Sequence, residues 1–289
     1  MADPITIIVR QIQEGDGVLI AVLILFAVFA LSRLLVFTGH LTRQSGLDKF
    51  GIATWNIGSL LGLEQAYEIT RGQIPHETDI ALLHAYRLLD FEWGHGFFIE
   101  QRVEHFFLQF HLLMSAIDLY YVICHVAITI GVLVWVYFRH RDKWTFVRNL
   151  LMLVTAIALV AFYLYPTAPP RMLWNYGFVD PLISNHLEGA GGAQVNSFTY
   201  NPYAAMPSIH VGYALVMGWA VWISRPSLVP RILACLYPVS MAAAVIISAN
   251  HFVLDVVGAL LTVLLARVVL FGFSQITVTV PTLFSRTAT

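Results

Sequence analysis

Two histidines stand at the start of apolar stretches: Met206-Pro207-Ser208-Ile209-His210 leads into one, and His251-Phe252-Val253-Leu254-Asp255 into another. On a helix, the spacing of His251 and Asp255 stacks the two side chains on one face. A carboxylate so placed accepts one imidazole N–H, fixes the tautomer and leaves the other ring nitrogen for nucleophilic attack. Asp255 falls a turn inside an apolar stretch, where a lone carboxylate is costly and tends to mark function. The same pair also suits a buried lock between two helices.

Pro207-Ser208-Ile209-His210 carries a second kind of chemistry. Proline fits the first helical position because its missing N–H has no partner there anyway. The N–H groups that follow form an anion site reinforced by the helix dipole. The Ser208 hydroxyl adds a donor and His210 adds a proton. An interfacial cap with an incidental histidine fits the motif equally well. Arg171 follows the rigid run Pro166-Thr167-Ala168-Pro169-Pro170. A guanidinium held there can bridge phosphate oxygens in fork geometry, or anchor a lipid headgroup. One nucleophile, one acid and one cation at a membrane edge point to chemistry on a phosphorylated lipid.

Other polar residues weigh less. Asp118, Tyr121 and His125 recur at helical spacing and share a face. A polar packing network is favoured over a site for an acceptor hydroxyl. His84, His95, His105 and His111 decorate a mixed segment without the close spacing of zinc ligands, so no metal is expected. No phosphate-loop, dinucleotide or nucleophile-elbow motif is present, and no cofactor is implied.

The elements that must position these residues are membrane helices. Of 289 residues, 58% are hydrophobic and 11% charged, against roughly 25% charged in soluble domains. A spanning helix needs about 20 mostly apolar residues. Six stretches qualify: 18–37, 114–138, 147–165, 208–224, 229–249 and 252–273. Within them the ionisable residues include Arg33, Asp118, His125, Arg148, His210, Asp255 and Arg267. The expected fold is an all-α integral membrane protein, a six-transmembrane-helix bundle with interfacial amphipathic helices.

Arg139, Arg141, Lys143 and Arg148 crowd one connection, and Arg225 and Arg231 flank another. The Lys/Arg bias of short loops makes both cytoplasmic, and with them both termini. Arg171, His210 and His251 then share the outward face of a plasma (inner) membrane, as a common site requires. Residues 1–17 carry Asp3, Glu14 and Asp16 against Arg10, so the first span is expected to be retained rather than cleaved. The net charge of −1 and the lack of a basic run give no reason to expect a nucleic-acid partner.

No internal repeat is evident. The chain divides into residues 1–113, the first transmembrane helix plus interfacial helices; 114–273, a catalytic membrane core; and 274–289, a tail. Residues 51–69 and 78–112 mix apolar and ionisable side chains and read as interfacial helices. Trp93, Phe97, Phe98, Phe106, Phe107 and Phe110 would sit at headgroup depth. The polar, glycine-bearing loop 172–205 reads as a lid. Cys124 and Cys235 fall in opposite halves of their helices and are expected as packing residues rather than a disulfide.

Pro207-Ser208-Ile209-His210 followed by His251 and Asp255 resembles the second and third motifs of the type-two phosphatidic acid phosphatase superfamily. The strings Tyr165-Pro166-Thr167-Ala168-Pro169-Pro170-Arg171 and Asn201-Pro202-Tyr203-Ala204-Ala205-Met206-Pro207-Ser208-Ile209-His210 resemble its inositol phosphorylceramide synthase-like branch. The resemblance covers roughly residues 100–270. It implies a six-helix core and catalysis through a phosphohistidine without a metal. His251 would be the nucleophile, Asp255 would orient it and His210 would protonate the leaving oxygen. Arg171 and Ser208 would cradle the phosphoryl group, with Asn250 as a polar neighbour.

Two departures bear on the substrate. The superfamily pattern has a Lys and an Arg in its first motif, where only Arg171 is evident. It also has Ser-Arg before the third-motif histidine, where this chain has Ala244 and Val245. A monoester dianion favours more cations than a diester monoanion, although Arg102 remains available as a second one. The expected activity is transfer of a phosphorylated headgroup from a membrane phospholipid donor to a lipid alcohol. Hydrolysis of a lipid or polyprenyl phosphate, with water as acceptor, is the near alternative. A non-catalytic lipid-binding or transport protein is the distant one.

Overall fold

A computed structural model of the chain describes residues 17–38, 46–73, 78–179 and 203–279. The charged N-terminal residues 1–16, most of the expected lid (180–202) and the end of the tail (280–289) lie outside the described residues. All regular structure among the described residues is helical, apart from a single parallel bridge between Thr167 and Ala204.

The chain forms two compact units, residues 1–73 and 74–289. In the first, α1 (Gly17–Phe37) packs on α2 (Gly46–Gln73). The Trp55 ring lies 5.6 Å from Phe26 and 4.8 Å from Phe29. Gly51 is required by this approach, because a Cβ there would overlap the Ser32 hydroxyl. The expected short interfacial stretch 51–69 is thus part of a 28-residue helix.

The second unit holds α3 (Thr78–Gly94), α4 (Glu100–Leu108), α5 (His111–Arg139), α6 (Arg141–Leu164), α7 (Ile209–Ser224), α8 (Leu228–Ile247) and α9 (Val253–Thr279). Helices α3 and α4 belong to this unit. Helix α5 contains a π-helical turn at Tyr120–Cys124; such turns are rare and frequent at functional sites.

Among the described residues, five helices are long and apolar enough to cross a bilayer: α1, α5, α6, α8 and α9. The sixth expected span, 208–224, contains a shorter apolar helix of 16 residues, α7. At 1.5 Å per residue it falls several ångströms short of a hydrocarbon core of about 30 Å. Its place explains its length. It packs against α5, α6, α8 and α9, and Val211, Ala214, Val216, Met217 and Ala220 are buried.

Pro238 interrupts the hydrogen bonding of α8. It lacks the N–H that would bond to the Ala234 carbonyl. That carbonyl is the one against which α7 packs Gly218, where a Cβ would come within 2.3 Å of the Ala234 oxygen.

Candidate active site

Three segments converge through main-chain hydrogen bonds. After α6 the chain turns at Pro166, and Thr167 N donates to Tyr203 O (2.7 Å) while Ala205 N donates to Thr167 O (3.2 Å). This short ladder sets the Arg171 segment beside the approach to His210. Arg171 N donates to Ala249 O (2.9 Å), which pins the arginine two residues ahead of His251. Ser208 N donates to Asp255 O (3.1 Å) and joins the start of α7 to the start of α9. Arg171, His210 and His251 therefore gather at one place.

His251 is buried and its Nδ1 lies 3.2 Å from Asp255 Oδ2. With the carboxylate as acceptor, Nδ1 carries the proton and Nε2 is the nitrogen left for attack. The expected pairing is present, but its geometry needs correction. His251 is not on the helix, since α9 begins at Val253. Asp255 sits in the first turn, and its Oδ2 also accepts the Phe252 amide (2.9 Å), as an acidic residue does when it reaches back over a helix start. The turn before it passes through Ala249 at φ 50°, a left-handed conformation that aims His251 back over Asp255.

The His210 ring centroid is 6.2 Å from that of His251. Tyr121 (4.3 Å) and His125 (4.8 Å) flank His210. Both come from the π-helical region of α5, and Asp118 is buried one turn earlier. His125 Nδ1 also lies 3.4 Å from the Tyr237 hydroxyl, and Tyr213 OH bonds Thr155 Oγ1 at 2.8 Å. Of the three residues the spacing grouped, Tyr121 and His125 touch His210, and Asp118 is buried on the same helix.

Ser208 is the N-cap of α7, with Oγ 3.5 Å from Val211 N. Pro207 was expected at the first helical position; it lies one residue outside the cap. The first amides of α7 are those of Ile209 and His210, at the end of the helix dipole that favours an anion. The buried Asn250 amide donates to Ser248 Oγ (2.7 Å) within the turn before His251.

Sequence reasoning did not find Glu92 and Glu100 as parts of this centre. Both are fully buried. Glu92 Oε1 accepts Leu254 N (2.8 Å) and Glu100 Oε1 accepts Val253 N (2.7 Å), the first two amides of α9. Burial and the like charge of Glu100 push the Glu92 carboxyl up to about 9. Glu104, also buried, accepts Val179 N. The available signal was the spacing of Glu100 and Glu104, which shares a stripe of α4 with Leu108.

The arrangement is an imidazole paired with a buried carboxylate, its ring centroid 6.2 Å from that of a second imidazole. The sequence model of the PAP2 superfamily matches residues 86–269. The chain belongs to the PAP2 superfamily. It is also 27% identical over 157 residues to a phosphoinositol dihydroceramide synthase of Bacteroides thetaiotaomicron, covering 46% of this chain and 48% of that protein. The chain thus spans about half the length of the curated relative it matches. No solved structure matches it. With its long apolar helices, family membership identifies an integral membrane protein of a lipid phosphatase and phosphotransferase family.

Proposed function

We propose that this chain transfers a phosphorylated headgroup from a phospholipid to a lipid alcohol through a phosphohistidine. The carrying observation is the His251–Asp255 pair set 6.2 Å, ring to ring, from His210. At 6.2 Å from ring to ring, both imidazoles can reach one phosphodiester, one attacking its phosphorus and the other protonating its leaving oxygen.

In the first step the His251 Nε2–phosphorus bond forms and the bond from phosphorus to the glycerol oxygen breaks. His210 gives its proton to that oxygen, and diacylglycerol departs. In the second step His210 takes the proton of the acceptor hydroxyl, whose oxygen displaces Nε2 from phosphorus. The enzyme returns to its starting state without a metal. Arg171 and the first amides of α7 stabilise the charge on the non-bridging oxygens.

The diester preference rests on the cations. Arg102, the second cation left open by the sequence, is exposed on α4, whose buried face presents Glu100 and Glu104 instead. The relative's name suggests phosphoinositol as the transferred group and a dihydroceramide as the acceptor. The site is read as facing outward from the plasma membrane, with both termini cytoplasmic, from the loop charges.

The test supplies purified protein with phosphatidylinositol vesicles and a fluorescent dihydroceramide, in parallel with fluorescent phosphatidic acid. Acceptor-dependent formation of a charged ceramide product, retained in EDTA and lost in His251→Ala, is the expected result. Rapid phosphate release from phosphatidic acid without acceptor-dependent transfer would establish hydrolysis instead. Unchanged turnover in a folded His251→Ala variant would remove the mechanism.

A further inference from the structure

The start of a helix leaves its first N–H groups without partners inside the helix. In α9 each of them is accounted for. Phe252 N donates to Asp255 Oδ2, Val253 N to Glu100 Oε1, Leu254 N to Glu92 Oε1 and Asp255 N to Phe252 O. Three carboxyl groups, two of them 153 and 162 residues away in sequence, thus occupy the start of one helix.

The two distant carboxyls are themselves held firmly. Glu100 Oε2 accepts the Ile99 amide at 2.9 Å, and the Glu92 carbonyl accepts Phe97 N and Phe98 N. The loop between α3 and α4 is therefore wrapped around the groups that grip α9. Leu88, Leu89, Ala249 and Phe252 belong to one buried apolar cluster that seals the contact.

This arrangement has two consequences. The positive end of the α9 dipole is already occupied, so of these two helix starts it is that of α7, beside His210, that is left for a phosphoryl anion. The register of α9 against the rest of the unit also depends on α3 and α4. Asp255 is the residue immediately after the gripped amides, and its side chain sets the His251 ring.

We propose that Glu92 and Glu100 are positioning residues for the His251 nucleophile, clamping the first turn of α9 so that Nε2 stays in line with the phosphorus held beside His210. The inference rests on the phosphohistidine reading above. It gives the segment 78–108, otherwise an interfacial platform, a part in turnover. Neither carboxyl touches the reacting atoms. A displacement of the ring by an ångström costs on the order of 10²-fold in rate.

Hydrogen exchange followed by mass spectrometry on the full-length protein in detergent tests the clamp directly. Peptides covering 250–256 should exchange faster in Glu92→Ala and Glu100→Ala than in the wild type, with helices α5 and α6 unchanged. In the phosphatidylinositol and dihydroceramide assay the same variants should lose kcat by about 10–10²-fold while KM for the donor holds. Glu92→Gln keeps a carbonyl acceptor for Leu254 N and should restore most of the rate. Alanine variants with wild-type exchange at 250–256, or with wild-type kcat, would overturn the proposal. So would a Glu92→Gln variant as slow as Glu92→Ala. The His251→Ala control separates the two ideas, since activity surviving there removes the nucleophile reading while the exchange result still reports on the clamp.

Discussion

The main-chain carbonyl of Asp255 accepts the amide of Ser208 at 3.1 Å, while the side chain of the same aspartate holds His251 at 3.2 Å. One residue thus sets the position of both histidine motifs, through its backbone for the start of α7 and through its carboxylate for His251. Asp255→Asn keeps the backbone contact and the shape but presents an amide to Nδ1, favouring the wrong tautomer. Transfer to dihydroceramide should fall by about 10³–10⁴-fold with the melting temperature nearly unchanged. Near-normal turnover in this variant would mean that His251 is not oriented through Asp255.

His210 is wedged between Tyr121 and His125, so its direction depends on α5. His210→Ala should lower kcat by about 10²–10⁴-fold, the usual contribution of a general acid. His125→Ala should cost less, because it loosens the ring without removing it. The double variant should be no slower than His210→Ala alone, as expected for residues acting in one unit. Additive losses in that cycle would assign His125 a role independent of His210.

Much of this site was legible because membrane helices impose alternation. Once the apolar stretches were counted, Arg171 had to end one helix at the face where His210 and His251 begin others, and the main-chain bonds join them there. The stretch 208–224 differs from the other five apolar stretches in being surrounded by helices, which hydropathy does not reveal. Only burial against α5, α6, α8 and α9 makes that distinction. Pro207 misled by one residue for a local reason, since Ser208 takes the cap position through its own side chain.

The π-helical turn at Tyr120–Cys124 has no marker in the residue types there. Glu92 and Glu100 were hidden by a different cause. A glutamate among Phe, Trp and Arg reads as the wet side of an interfacial helix, and its partner amides lie more than 150 residues further on. Long-range capping leaves no periodic trace.

Gly218 offers a test of the packing that sets the depth of His210. A methyl group there would collide with the Ala234 carbonyl, which Pro238 leaves without its helical N–H. That oxygen belongs to the backbone of α8 and cannot swing away as a side chain would. Gly218→Val should destabilise the protein by about 1–3 kcal/mol, as overpacking does, read as a lower melting temperature in detergent. A variant as stable as the wild type would show that α7 and α8 do not pack this closely.

Glu92 makes stability depend on pH, with a sign that follows from its environment. The charged groups facing it are Glu100 on α4 and Asp255 on α9, the latter paired with His251. All of this, with burial, moves its carboxyl from an ordinary 4.5 to about 9. The folded chain therefore keeps a proton that the unfolded chain releases above 4.5. The stabilisation is complete below that value and is lost as pH rises toward about 9, because the folded state binds more protons throughout the interval. Glu92→Gln is neutral in both states and removes this contribution. Melting temperatures measured across that range should decline with pH less steeply in Glu92→Gln than in the wild type. Parallel declines would mean that Glu92 is ionised in the fold, and two adjacent buried negative charges would then have to be neutralised by a proton held elsewhere.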